Sequence, residues 1–302
     1  MRLSANIGSL ERKLGISLAA KTVKEAGFDA CDYSLISNLE EEDSPYRAEG
    51  YREFAANTRK AIEAEGIKVN QTHAPFRFPF KMWDDPGIFN GTVFPLMVRA
   101  LEISSILGAD VCVIHPLHHL VYRGNEEKLF EMNMEYYGRL LPYAKEFGVK
   151  IGVENMWQKH RLRKNIVIDT CATADEFVRY IDALNSEYAV ACLDVGHVLL
   201  PDIPGTVGDF IRALGHDRLK ALHVHDNDFT NDLHQLPYLG KQDWDDITKA
   251  LGEIDYTGDL TYEVSDALFV NAPENLVPAA INFWGAVGKD LVRRVDEHRP
   301  NN

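Results

Sequence analysis

The chain has 302 residues, 45% of them apolar and 26% charged, with a formal charge of −14 at pH 7. This composition excludes a disordered chain, and no apolar run approaches the roughly 20 residues that a membrane-spanning helix needs. The negative charge repels polyanions at long range and argues against nucleic acid or an anionic membrane as the main partner. Short β-branched runs alternate with stretches of helical periodicity from one end to the other. Strands are predicted at 2–7, 29–36, 68–73, 110–115, 150–155, 189–194, 220–225 and 259–264. Helices are predicted at 18–25, 46–65, 92–107, 126–147, 173–184, 207–214, 244–254 and 278–297. Glycine in EAGFD, AEGIK, LGADV, EFGVK and DYTGD falls where a helix must turn into the next strand.

Eight such pairs, with no compositional break and no Pro/Ser-rich linker, predict one α/β domain over 1–302, a (β/α)₈ TIM barrel. A doubly wound open sheet would need a glycine-rich phosphate turn after the first strand, and Gly8 stands alone in NIGSLERKLG. P-loop and nucleophile-elbow patterns are absent as well. The opening residues MRLSANIGSL lack the apolar stretch of a secretory signal, so the cytoplasm is the expected location. Cys31, Cys112, Cys171 and Cys192 lie far apart with no C-x-x-C pair, so neither a disulfide framework nor a zinc knuckle is expected.

Chemistry in a barrel of this kind sits at the C-terminal ends of the strands. Six consecutive predicted strands end in metal-ligand residue types: His73, His115, Glu154, Asp194, His223 and Glu263. With three acceptable positions per strand end, chance produces such a run on the order of 1 time in 100. Glu154 follows Ile151 and Val153 in a run that should be buried, where an ionised carboxylate is too costly without a cation beside it. Asp194 closes the apolar run 190–193 and Glu263 ends 260–262, and both meet the same objection. His223 and His225 lie two apart and so face the same side of one strand, while His73 and His115 read equally well as packed histidines. Two glutamates with Asp194 and one histidine make an oxygen-rich site for a divalent metal ion, Mn²⁺ first, with Mg²⁺ or Co²⁺ as alternatives. Additional histidines tilt the preference to Zn²⁺, and His197, Asp232 and His234 are placed to supply further ligands from loops.

These residues resemble the xylose-isomerase-like barrels, which include sugar isomerases, ketose 3-epimerases and the type-IV apurinic endonucleases. The resemblance spans nearly the whole chain: HAPF at 73–76, IHP at 114–116, VEN at 153–155, LDVGH at 193–197, the H-x-x-D from His223 to Asp226, LGKQDWDDITKALGEIDYTGDL, and TYE at 261–263. In the epimerase branch it implies a metal held by Glu154, Asp194, His223 and Glu263, with His197 touching substrate. The endonuclease branch implies a three-zinc site in which His73, His115, His197, Asp232 and His234 also have counterparts. The chain departs from that branch in having LDVGH where D-T-x-H is typical, and in following VEN with MWQKHRLRKN instead of a small glycine-rich turn.

That last segment concentrates Lys159, Arg161, Arg163 and Lys164 on the loop leaving the Glu154 strand. It reads as a solvated loop or as a clamp in which Arg161 and Arg163 hold a phosphorylated or carboxylated sugar. Trp157 could stack on a sugar face, and the loop 74–94, with Phe76, Phe78, Phe80 and Trp83, is expected to fold over the barrel mouth or into a subunit contact. Together these readings predict a metal-dependent sugar or sugar phosphate isomerase or epimerase acting through an enediolate, with Glu154 and Glu263 as the proton-transfer pair. An endonuclease at abasic sites is the alternative. The expected partner is a small sugar, with no membrane and no nucleic acid, and a homo-oligomer is compatible with the sequence.

Overall fold

Alternation of inward and outward side chains along parallel strands builds the site from below. The computed structural model describes residues 1–201, 203–265 and 267–300, so positions 202, 266, 301 and 302 of the expected domain lie outside it. Eight parallel strands form one sheet: β1 (Leu3–Asn6), β2 (Ala30–Ser34), β3 (Lys68–His73), β4 (Val111–Ile114), β5 (Lys150–Glu154), β8 (Ala189–Asp194), β9 (Leu219–His223) and β10 (Leu260–Tyr262). Their spatial order is β10-β1-β2-β3-β4-β5-β8-β9. Beyond β9 the Val224 amide donates to the Thr261 carbonyl at 2.8 Å, and the Glu263 amide donates to the Val224 carbonyl at 3.2 Å. These bonds bring the two ends of the sheet together as a nearly closed (β/α)₈ TIM barrel with alternating helices.

The main helices that alternate with the strands are Ile16–Glu25, Tyr51–Ala64, Phe94–Leu107, Glu126–Phe147, Ala174–Leu184, Val207–Arg218, Trp244–Glu253 and Val277–Glu297. Local chemistry sets their ends. Thr173 and Thr206 cap helix starts by accepting from the Glu176 and Asp209 amides. Gly108, with φ 82°, ends Phe94–Leu107 in the left-handed conformation that a side chain would strain. The predicted helix 46–65 starts later, at Tyr51, because Ser44 and Gly50 hold the chain before it in turns. The predicted helix 207–214 continues to Arg218 across a kink at Gly215, whose φ is 66°.

Two segments differ from their reading as loops. Trp157–Lys159 (β6) and Ile166–Ile168 (β7) pair antiparallel as a hairpin, with Trp157 opposite Ile168 and Lys159 opposite Ile166. Strands of three residues are too short to display a period of two, and the basic turn between them hides the pairing. The stretch 74–94 holds two short helices, Phe80–Asp84 and Pro86–Ile88, and a π-helical turn, Phe89–Val93, that leads into the next long helix. The four cysteines are all buried.

Inside the barrel one side is apolar and small, formed by Val111, Val113, Val190, Cys192 and Ala221. The other is polar and cross-linked by hydrogen bonds: the Ser4 hydroxyl donates to Asn70 at 2.7 Å, and Asn70 donates to the Thr261 hydroxyl at 2.9 Å. Gly152 sits against the apolar side, where a Cβ would lie 2.9 Å from Val111 and 3.3 Å from Cys192. Gly152→Val therefore overpacks the barrel and is expected to cost about 1–3 kcal/mol, measured as a lowered midpoint in thermal or urea unfolding.

Candidate functional site

The inward register that carries Gly152 below carries Glu154 above, and the same alternation takes Val190 and Cys192 to Asp194, and Ala221 to His223. Glu154, Asp194, His223 and Glu263 converge there, with one ligand atom of each within 4.8 Å of the others. His223 Nδ1 lies 3.1 Å from Glu154 Oε1 and 3.3 Å from Glu263 Oε2. Three further groups adjoin this one: His73, His115 and Glu154; His73, His223 and Glu263; and His197, His225, Asp232 and His234. His115 Nε2 is 3.1 Å from Glu154 Oε2 and 3.1 Å from His73 Nε2. His225 Nε2 is 3.0 Å from Asp194 Oδ1, and its ring stacks on His234 with centroids 4.0 Å apart.

Backbone contacts hold these groups in place. Asn155 accepts from the Asp194 amide at 2.8 Å and donates to the Asp194 carbonyl at 3.0 Å, locking two strand ends together. The His197 amide donates to Asp194 Oδ1 at 3.0 Å, and His197 Nδ1 contacts the Asn155 carbonyl at 2.8 Å. Gly196 has the His225 imidazole packed where a Cβ would stand, so this close approach requires glycine. His234 Nδ1 contacts the Glu263 carbonyl at 2.7 Å, which ties the loop bearing Asp232 and His234 to the last strand.

Electrostatics in the site are governed by burial set against dense opposite charge. Burial alone would raise the Glu154 carboxyl, but the His223 and His115 imidazoles override it and hold the carboxyl well below the usual range. Asp194 likewise resists burial because His197 and His225 face it, and titrates at about 2. Burial pulls His115 down to about 4 despite Glu154, whereas Asp232 and Glu263 lift His234 to about 10 against the same penalty. Asp32, behind His223, is pushed up to about 6 by burial. Asp232 Oδ1 is buried with no hydrogen-bond donor. Convergent carboxylates and imidazoles with an orphaned oxygen fit divalent cations of the Mn²⁺ to Zn²⁺ class.

The four-residue set and the additional histidines expected from the sequence are thus brought to one place. Two placements go beyond the sequence reading. His225 reaches the site alongside His223, since both face inward, and His118 and His119 line the cavity above it. The run IHPLHH already contained that signal. The cavity has a volume of about 610 Å³ and is lined by His73, His115, Glu154, His197, Asp232, His234 and Glu263, with Asp194, His223 and His225 buried behind them. Phe76, Phe80, Leu120, Val121, Met156 and Trp157 give it an apolar wall, and Phe76 stacks on His115 at 4.1 Å. Trp157 donates its indole N–H to Asp232 at 3.2 Å. On the hairpin, Lys159, Arg161 and Lys164 line the cavity, whereas Arg163 is exposed and does not. The two arginines expected to hold the substrate thus differ in their place relative to the cavity.

The family described as xylose isomerase-like TIM barrel matches residues 20–286. An uncharacterised protein of Sinorhizobium fredii, y4fM, is 28% identical over 272 residues, covering 82% of this chain and 81% of that one. A probable endonuclease 4 of Bacillus licheniformis is 27% identical over 177 residues, covering 56% of this chain and 55% of its own length. Among solved structures, a D-tagatose 3-epimerase-like protein superposes with a TM-score of 0.71 at 19% identity, covering 98% of this chain and 99% of that chain. At that identity the likeness is one of fold. No helix among the described residues is long and apolar enough to cross a membrane.

The loop 226–243 that delivers Asp232 and His234 depends on Asp226, which is fully buried. It accepts from the Asn227, Gln242 and Tyr238 amides and from the Trp244 indole, at 2.9, 3.0, 3.1 and 2.9 Å. Asp226→Ala leaves four donors without an acceptor and is expected to cost about 3 kcal/mol or more, seen as a large drop in thermal midpoint.

Proposed function

Because the chain belongs to the xylose isomerase-like TIM barrel family, we propose that it is a divalent-metal-dependent isomerase or epimerase of a small sugar or sugar phosphate. The observation that carries this reading is a cavity of about 610 Å³ lined by Glu154 and Glu263, with Asp194 and His223 buried beside them in the same cluster. That volume suits a small molecule, and it is walled by an aromatic segment and a basic hairpin of this same chain. Those four residues would hold the ion, Mn²⁺ by preference for its oxygen-rich ligands. A bound divalent ion supplies Lewis-acid chemistry, drawing electron density from neighbouring substrate oxygens and acidifying the C–H between them.

The chain's own part is to place the proton. Glu154 and Glu263 both reach the His223 imidazole, from two different strands, so two carboxylates converge on one point of the cavity base. One removes the substrate proton and the other returns it. Delivery to the opposite face of the same carbon is epimerisation, and delivery to the adjacent carbon is isomerisation. His197 would contact a substrate hydroxyl, and Trp157 would present its ring to the sugar. Lys159, Arg161 and Lys164 would attract an anionic group at the mouth, with Arg163 contributing only long-range charge.

Metal dependence follows directly. The purified protein is expected to hold at least one divalent ion by elemental analysis, Asp194→Asn and His223→Ala to lose it, and added ion to raise the melting temperature of wild type alone. Absence of stoichiometric metal after reconstitution would remove the proposed site. For the reaction itself, wild type in D₂O should place deuterium on the carbon beside the carbonyl. Glu154→Gln and Glu263→Gln should each lower kcat by on the order of 10²–10⁴ while substrate still binds. Product without exchange would replace proton transfer by hydride shift.

A second reading has its own support. Four adjoining ligand groups, two sharing Glu154, can hold more than one ion, an arrangement suited to phosphodiester hydrolysis. Incision of an abasic-site duplex, with a steep salt dependence flattened by Arg161→Ala and Arg163→Ala, would establish the endonuclease reading in place of the sugar reading.

A further inference from the structure

His118 stands on the segment after β4, three residues beyond His115, and lines the same cavity as Glu154. It belongs to none of the convergent ligand groups. Its side chain is 32% exposed, and its Nδ1 lies 2.9 Å from Oδ2 of Asp169, which is completely buried. The other oxygen of that carboxylate is occupied: Asp169 Oδ1 accepts from the Thr170 amide at 2.8 Å and the Thr170 hydroxyl at 3.3 Å. A carboxylate can only accept, so Nδ1 must carry the hydrogen. In the neutral ring Nε2 is then a bare acceptor, and it is the ring nitrogen left to meet a molecule in the cavity.

We propose that His118 accepts a hydrogen bond from a hydroxyl of the substrate, and that Asp169 is the positioning residue that fixes the accepting tautomer. The inference rests on the sugar reading and sharpens it. A polyhydroxylated substrate must present an O–H donor on the wall beside His115, whose ring centroid is 6.1 Å from that of His118. An ether or carbonyl oxygen at that position offers no donor and leaves the imidazole unpaired. Asp169→Asn has a defined effect. The Thr170 amide and hydroxyl keep the amide oxygen on their side, so the NH₂ group faces His118 and drives its proton from Nδ1 to Nε2. The acceptor becomes a donor, and the preference for a hydroxyl over an ether is lost.

Two measurements test this on the Mg²⁺-saturated protein. Nitrogen-15 spectra of labelled histidines should show His118 protonated at Nδ1 and bare at Nε2 in wild type, with the proton moved to Nε2 in Asp169→Asn. Calorimetric titration with D-fructose and its mono-O-methyl ethers should show one ether binding about tenfold more weakly to wild type, with the difference abolished in His118→Leu and in Asp169→Asn. The partly exposed His118 keeps the test sound should Asp169→Asn fail to fold. A proton on Nε2 in wild type, or equal binding of sugar and all ethers, would overturn the inference while leaving the sugar reading intact. No binding of D-fructose, other ketoses, aldoses or their phosphates would overturn both.

Discussion

Glu154 is 1% exposed and lies within 3.8 Å of four imidazoles, those of His73, His115, His197 and His223. An ionised carboxylate in the core of a barrel keeps its charge only when positive charge stands beside it, because the penalty for leaving water is several kcal/mol or more. Asp194 is under the same constraint and meets it with His197 and His225. In the protein on its own His73, His197 and His223, raised by these carboxylates, supply that charge, and a divalent ion would supply it as one compact charge. An ion bound as proposed would compete with these protons for the same lone pairs, so its loading would release protons and weaken as the medium became acidic. The inward alternation of β5, β8 and β9, the glycine at 196 and the paired hydrogen bonds of Asn155 all act to hold these charges at the distance where that exchange can occur.

Much of this was readable from residues alone, and the reason is periodicity. A buried run with a polar end has few places to put that end, so Glu154 and Asp194, which close strands of five and six residues, could be singled out before any contact was known, and so could Glu263, which follows a buried strand of three and is itself half-buried. His223 and His225 could not be separated by register, since residues two apart share a face, and in the folded chain both reach the site by different partners. The hairpin escaped because its strands have three residues each and its turn carries the charge of a solvated loop. Arg161 and Arg163 look equivalent in sequence, but they lie on a turn closed on His160, whose Nδ1 accepts from the Leu162 and Arg163 amides, and of the two Arg161 lines the cavity. His118 and Asp169 are 51 positions apart, and no local pattern links them.

Behind the ligands lies a layer that never touches the cavity yet decides its shape. Asp226 gathers four N–H groups, and Asn227 and Gln242 donate to the Gly196 and Val195 carbonyls at 2.6 and 2.9 Å. The loop after β8 and the loop after β9 are therefore fastened to each other as well as to their own strands. Rigidity of this kind keeps carboxylates from drifting apart under their mutual repulsion, which a loop held only at its ends could not resist.

The hairpin between β5 and the helix Ala174–Leu184 has the opposite character. Its base is joined by the Met156 amide to the Thr170 carbonyl at 3.0 Å, and beyond that point it projects from the barrel, with Leu162 at its tip 87% exposed. The ladder of the barrel passes beneath it from β5 directly to β8. The insertion can consequently be exchanged, shortened or recharged without altering the register that aims Glu154 and Asp194. A change of length or charge at the rim is thereby uncoupled from the charged floor, where each member is held by the others.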